Sequence, residues 1–292
     1  MITVYLKQNE HKKIRGGFGW VYANEVYKIE GKDKNGSLAT VRSFDGRFIG
    51  KGYINYLSKI LVRIFIFNDE DENTVIYQRI LRAVNTRKQL SVGSCYRAVF
   101  AEADMLPGVI VDVYGDCVSL QILTLGAENK KSVIVDAIKD ILSPRTIVER
   151  SDVAVREKEG LNKFKGVIYG EQVESTVVEE NGLKIKVDLL NGQKTGYFLD
   201  QKFNRLAVRR YVKGKTVLDC FSNAGGFALN AAAAGAKSVT ALDISPVAIE
   251  EINFNAKLNG LSVEAVCCDV FDKLREYKAE NRKFDVIILD PP

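Results

Sequence analysis

Hydrophobic and polar positions change texture twice along the chain. Residues 1 to 67 carry short strand-like runs, "ITVYL", "VYKIE", "LATVRS", "RFIGKGYI" and "ILVRIFIF", separated by the turn signals "KNGS" and "FDGR"; they predict a small closed or rolled sheet. The acidic run "NDEDEN" (68 to 73) marks a boundary, because clustered like charges resist burial. Beyond it the pattern predicts a helix near "TVIYQRILRAVNTRKQL", two alternating strands about a Tyr-Gly-Asp turn, a helix over "AENKKSVIVDAIKDIL" and more strand from "RTIVER", the order of an α+β domain. After residue 184 a hairpin-like opening and a helix lead into strict alternation. Strands at 216 to 220, 238 to 243, 263 to 269 and 284 to 290 are separated by helices such as "GFALNAAAA" and "PVAIEEINFNAKLN". That series predicts a parallel sheet covered on both faces. Three domains are expected: residues 1 to 69, 70 to 184 and 185 to 292.

Composition narrows the class. Hydrophobic content of 46%, charged content of 27% and 5 prolines describe folded protein rather than disorder. Neither "ILVRIFIF" nor the amino terminus has the length or apolarity of a membrane span or signal peptide, so a cytoplasmic protein without membrane contact is expected. Five cysteines without a C-x-x-C pair, and a single histidine, argue against a metal site or disulfide framework. Homo-oligomerisation stays open. The net charge is +5, yet residues 1 to 69 hold twelve Lys or Arg against six acids, a surplus of +6. A basic unit on a neutral body suggests RNA contact through phosphate neutralisation, with Lys12, Lys13 and Arg15 as candidate contacts. Solvated surface lysines would read the same way from charge alone.

Candidate chemistry sits at the strand ends. In "VLDCFSNAGGFALN" a strand delivers Asp219, crosses Gly225 and Gly226, and enters a helix. The G-x-G-x-x-G fingerprint is absent, and an acid stands where a dinucleotide would need amide donors; a cationic or zwitterionic ligand fits better, and S-adenosylmethionine is one. A glycine-rich turn of another α/β enzyme is the plain alternative. Asp243 ends the second strand, where an acid can accept both ribose hydroxyls. Asp269 ends the third and could accept from an adenine amino group, with Val270 and Phe271 walling the ring. Each acid alone could be only a helix N-cap. The fourth strand runs into Asp290, Pro291 and Pro292, and proline forces the chain out of the sheet.

On "RSDVAVREKEG", "NGQKTGYFLDQ", "VLDCFSNAGGFAL", "ALDIS" and "DVIILDPP", the chain resembles the bacterial large-subunit ribosomal RNA cytosine-C5 methyltransferases, over essentially its whole length. The resemblance implies a PUA-like RNA-binding domain, an α+β middle domain and a class I S-adenosylmethionine-dependent methyltransferase domain of Rossmann-like α/β fold. It implies that Asn223 to Gly226 flank the methionine part and Asp243 the ribose, with Asp269 and Val270 at the adenine. Phe221 and Ile244 belong to the same cofactor set with Asp219, while Tyr197 and Gln201 close the site from upstream. It also implies that Asp290 and Pro291 face a flipped-out base of ribosomal RNA.

Methylation at C5 needs a cysteine thiolate to add first to C6. In such enzymes the thiol follows the "DPP" block, and the residues before it offer only Cys220, Cys267 and Cys268 near strands and Cys95 and Cys117 in the middle unit. The chain is therefore expected to be the amino-terminal portion of a methyltransferase, inactive by itself. Methylation of guanine N7 or an exocyclic amine is the alternative within enzymes, a non-catalytic RNA-binding protein the alternative outside them, and a dinucleotide oxidoreductase comes third.

Overall fold

A computed structural model describes residues 2–90 and 92–291, arranged as two compact units, Met1–Val173 and Glu174–Pro292. The first unit opens with β1 (Ile2–Leu6), α1 (His11–Arg15), β2 (Trp20–Tyr22), β3 (Val26–Glu30), β4 (Leu38–Arg42), β5 (Phe48–Ile54) and β6 (Ile60–Ile66). These strands form one sheet in the order β2-β6-β5-β4-β1-β3, mostly antiparallel, with β1 and β4 parallel. Alternation explains its core: Ile2, Val4 and Leu6 point inward with Val21, Ala39, Val41, Ile54 and Val62.

The chain continues through α2 (Glu72–Gln89), β7 (Cys95–Phe100), β8 (Val109–Tyr114), β9 (Cys117–Ile122), α3 (Leu125–Asn129), α4 (Lys131–Leu142), β10 (Thr146–Ser151) and β11 (Phe164–Gly170). The five strands pair in the order β11-β10-β9-β8-β7, and α2 and α4 pack on them. The helix expected over 127 to 142 is broken at Lys130, whose φ of −108° and ψ of 14° leave the helical region. The acidic run expected to separate domains also caps a helix. Asp71 accepts from the Thr74 amide at 2.9 Å, and Glu72 opens α2 at the positive end of its dipole. Tyr53, Phe65 and Ile66 of the first sheet share one core with Val75, Ile76 and Ile80 of α2 and with Val109 and Val111 of β8. This common core merges the two expected amino-terminal domains into one compact unit.

The second unit begins at Glu174, ahead of the expected residue 185, because β12 (Ser175–Glu180) and β13 (Leu183–Asp188) pair as a hairpin that a cut at 184 would divide. The hairpin docks on the following domain through Asn255 and Asn259, whose Oδ1 atoms accept from the amides of Lys186 and Lys184 at 2.9 and 2.8 Å. Next come α5 (Lys202–Val212), β14 (Thr216–Cys220), α6 (Gly226–Ala233), β15 (Ser238–Asp243), α7 (Pro246–Leu258), β16 (Glu264–Cys267), α8 (Val270–Ala279) and β17 (Val286–Leu289). All four strands are parallel, in the order β16-β15-β14-β17, and apolar clusters fill both faces. The last two strands are shorter than expected. Just before the last strand the Asp285 carboxylate accepts from the amide and hydroxyl of Thr216 at 2.8 and 2.9 Å, while its own amide donates to the Thr216 carbonyl at 2.9 Å. No helix among the described residues is long and apolar enough to cross a membrane.

Candidate active site

Connections that leave β14 in one direction along the sheet and reach β17 in the other open a crevice at the carboxyl ends of these strands. A cavity of about 400 Å³ lies there. Its walls include Tyr197, Phe198 and Gln201 from the segment before α5, Phe221, Ser222, Asn223 and Gly226 after β14, and Asp243 and Ile244 after β15. Asp269, Val270 and Phe271 after β16 and Asp290 and Pro291 after β17 belong to it as well, with Lys194, Asp200 and Arg205 from the upstream side.

The loop after β14 is built for a close approach. Phe221 and Asn223 both hold left-handed backbone, φ 62° and 50°, which costs energy for residues with a side chain. The cost is offset by hydrogen bonds. Asp219 Oδ2 accepts from Ser222 Oγ at 2.5 Å and from the Ala228 amide at 3.0 Å, and Asp243 Oδ2 accepts from the Asn223 amide at 2.9 Å. Asp243 Oδ1 takes the Ser245 amide at 2.9 Å. Asp269 is the N-cap of α8, accepting from the Asp272 amide at 3.1 Å, so the capping role that sequence left open coexists with its place in the cavity wall.

Asp219 does not line the cavity. It lies behind the wall, 1% exposed, with Oδ1 buried and unpaired. Burial pushes its carboxyl up to about 7, against the opposing hydrogen bonds from Ser222 and Ala228, and the nearby Asp290 and Asp243 charges add to the rise. Gly225 is likewise behind the wall; with φ 84° it is the N-cap of α6. Val270 lines the cavity but is buried in the core beneath it. By contrast Ile244 and Phe271 stand at the mouth, 68% and 60% exposed, and the Phe271 ring meets Phe221 edge-on at 5.7 Å.

Sequence reasoning missed the scaffold behind these groups. Arg205 of α5 and Glu180 of β12 are 3% and 1% exposed and form a two-pronged ion pair, Nε to Oε1 at 2.6 Å and a terminal nitrogen to Oε2 at 2.8 Å. The same guanidinium donates to the Phe198 carbonyl at 2.8 Å and lies 4.4 Å from the Tyr197 ring centroid. Tyr197 and Arg205 press on the start of α6. A Cβ at Gly226 would meet Arg205 Cδ at 2.6 Å and the Tyr197 hydroxyl at 2.7 Å, so this position admits only glycine without rearrangement. One sequence signal was available: Arg205 is seven residues from buried Val212, on the inward face of an amphipathic helix, where a cation demands a partner.

Of the candidate RNA contacts, Lys12 and Arg15 are exposed on α1. Lys13 is not equivalent to them. It is half-buried, ion-paired to Glu25, and sits 5.2 and 5.0 Å from the Phe18 and Tyr22 ring centroids.

The chain matches two family profiles, a PUA-like domain over residues 4–67 and an S-adenosylmethionine-dependent methyltransferase over residues 159–292. A structure from Streptococcus mutans, a candidate SAM-dependent methyltransferase, superposes with a TM-score of 0.84 at 24% identity, covering 100% of this chain and 77% of that one. A candidate methyltransferase complexed with SAH superposes with a TM-score of 0.86 at 24% identity, covering 100% and 76%. Fold, cavity and profile together define an S-adenosylmethionine-dependent methyltransferase with a PUA-like amino-terminal domain. The ribosomal RNA large subunit methyltransferase I of Aeromonas salmonicida is 40% identical over 300 residues, covering 100% of this chain and 76% of that protein. The chain belongs to that family.

The residues present fit the cofactor. The cavity wall offers carboxylates at Asp243, Asp269 and Asp290, with the unpaired Asp219 Oδ1 behind it, and its cations Arg205 and Lys194 are paired with Glu180 and Asp200. That donor set suits a ligand carrying an ammonium, a sulfonium and a diol rather than a phosphate.

Proposed function

We propose that this chain supplies the cofactor-binding and base-facing residues for methylation of large-subunit ribosomal RNA, with cytosine C5 as the acceptor, in the cytoplasm. The observation that carries the reading is the union of a carboxylate-lined cofactor cavity, open at Asp290 and Pro291, with 40% identity to a ribosomal RNA large subunit methyltransferase I. S-adenosylmethionine, when bound, supplies an electrophilic methyl group.

The chain's own residues bind and orient it. Asp243 takes the ribose hydroxyls, consistent with a carboxylate already fixed by the Asn223 and Ser245 amides. Ile244 and Phe271, exposed apolar groups at the mouth, gain a covering when a purine lies against them, and Asp269 meets its amino group. Phe221 and the Asn223 to Gly226 loop hold the methionine end with Asp219 behind, and Tyr197 and Gln201 close the upstream side. Asp290 and Pro291 face the acceptor base, which must leave its helix to reach them.

C5 chemistry requires a thiolate, and none of the five cysteines lines the cavity; Cys267 Sγ, at the end of β16, is directed to the Ile244 carbonyl at 3.5 Å. An exocyclic amine or guanine N7 needs no thiol, so product analysis decides. Unmodified ribosomal RNA is incubated with the enzyme and labelled S-adenosylmethionine, then digested to nucleosides. Label in 5-methylcytidine is expected where a thiolate serves the cavity, and no transfer is expected from these 292 residues by themselves. Label in a methylated guanosine or an N-methylated base would overturn the acceptor atom, and label in protein or small molecules alone would overturn RNA as substrate.

A further inference from the structure

The PUA-like sheet carries a feature that the cofactor cavity does not use. β2 is an edge strand, paired only with β6. Val21 points into the core, fully buried, so Phe18, Trp20 and Tyr22, at even spacing, fall on the opposite face. Their rings touch edge to face, Phe18 with Trp20 at 5.5 Å and Trp20 with Tyr22 at 6.5 Å. Cations are interleaved: Lys13 stands over Phe18 and Tyr22, and the Arg63 guanidinium lies 5.3 Å from the Trp20 ring centroid.

The row is held in place before any partner arrives. Glu25 pairs with Lys13 and accepts from the Tyr22 amide at 2.8 Å, Glu102 accepts from Trp20 Nε1 at 3.0 Å, and the Ile64 amide donates to the Gly19 carbonyl at 2.7 Å. Yet Phe18 remains 44% exposed, an unfavourable place for a ring that serves packing alone. Beside it, exposed Lys12 and Arg15 form no ion pair among the described residues, within a segment whose surplus is +6. Rigid aromatic faces with interleaved cations and a positive border are what unstacked bases on a phosphate backbone require.

We propose that the Phe18, Trp20 and Tyr22 row is a stacking platform for unpaired bases of RNA, with Lys12 and Arg15 taking the adjoining phosphates. The proposal rests on the RNA-substrate reading above and adds which residues of the first unit grip the RNA.

Trp20 is the only tryptophan of the chain, so its emission reports on this row alone. An unstructured single-stranded oligoribonucleotide titrated into the whole chain should quench that emission and saturate. The same sequence as a duplex, or inorganic polyphosphate, should leave it nearly unchanged. Phe18→Ala should weaken single-strand binding roughly tenfold at unchanged melting temperature, and Phe18→Tyr should retain it. Equal quenching by polyphosphate, or unaltered affinity in Phe18→Ala, overturns the platform. An extended peptide that quenches Trp20 where RNA does not would overturn it in favour of strand addition at the β2 edge. RNA retained on a filter while Trp20 stays silent overturns the platform and leaves the substrate reading standing; no RNA binding at all overturns both.

Discussion

Replacing Arg205 by methionine tests whether the buried pair behind the cofactor cavity organises it. The substitution keeps most of the side-chain volume and removes the charge. Glu180, 1% exposed, would lose both guanidinium contacts at 2.6 and 2.8 Å and keep the Tyr197 hydroxyl at 3.4 Å. Both partners are almost wholly buried, so solvent screening does not dilute the effect. Removing one member of such a pair costs about 3 to 5 kcal/mol, chiefly because the remaining charge is desolvated without compensation. Loss of the guanidinium over Tyr197 adds about 0.5 to 2 kcal/mol. Arg205→Met should therefore destabilise the protein by about 3.5 to 7 kcal/mol, read as a shifted midpoint in urea unfolding followed by circular dichroism. Glu180→Gln combined with Arg205→Met removes the orphaned charge as well and should recover most of that loss. In the double variant calorimetry should still show weaker S-adenosylmethionine binding, because the Phe198 carbonyl and Tyr197 ring have lost their anchor. A single variant costing under about 1 kcal/mol, or a double variant no more stable than the single, would refute the reasoning.

Gly226→Ala should lower cofactor affinity while the domain still folds, since its Cβ would push on the Tyr197 hydroxyl and Arg205 Cδ; wild-type calorimetry would contradict this. Asp243→Ala should weaken S-adenosylmethionine binding by roughly 1.5 to 3 kcal/mol, the scale of hydrogen bonds to a charged group, and unaltered affinity in a folded variant would exclude the ribose assignment. Asp219 has a folded-state pKa of about 7 against an ordinary 3.8, so its contribution to stability is complete below 3.8 and is lost as pH rises through 7. Asp219→Asn should flatten that decline, and parallel stability curves for the two proteins between pH 4 and 8 would dismiss the burial argument. Neutralising Lys12 and Arg15 together should reduce the salt dependence of RNA binding by up to about one log-log unit per lost contact; an unchanged slope counts against them. Lys13 is left out because its ammonium already serves Glu25.

What was legible in the sequence was local or periodic. The fold class of the carboxyl-terminal unit followed from alternating strands and helices. The acids Asp219, Asp243, Asp269 and Asp290 announced themselves because each follows directly on an apolar strand, and parallel strands must deliver their ends to one edge. Only tertiary structure could divide those acids between a cavity wall and the layer behind it. Asp219 and Asp243 read alike in the sequence, yet Asp219 lies one residue inside the end of β14, in register with Ala241, and the turn through Ser222 and the start of α6 close over it while Asp243, last in β15, stays half-exposed. The Glu180 and Arg205 pair, 25 residues apart, carries no motif, because its partners meet only when the hairpin, α5 and α6 pack together. Lys13 looked like Lys12 and Arg15 in the sequence; the chain's return at Glu25 separated them. The core shared across the expected limit near residue 70 was hidden for the same reason. The acids at 69 to 72 signal a break by charge but act as a helix cap, while Tyr53, Phe65 and Ile66 are indistinguishable from local core until α2 and β8 arrive to share it. Side-chain period and capping are properties of a few neighbouring residues and survive in the string of letters. Burial and pairing are properties of space, settled when distant segments exclude water from one another.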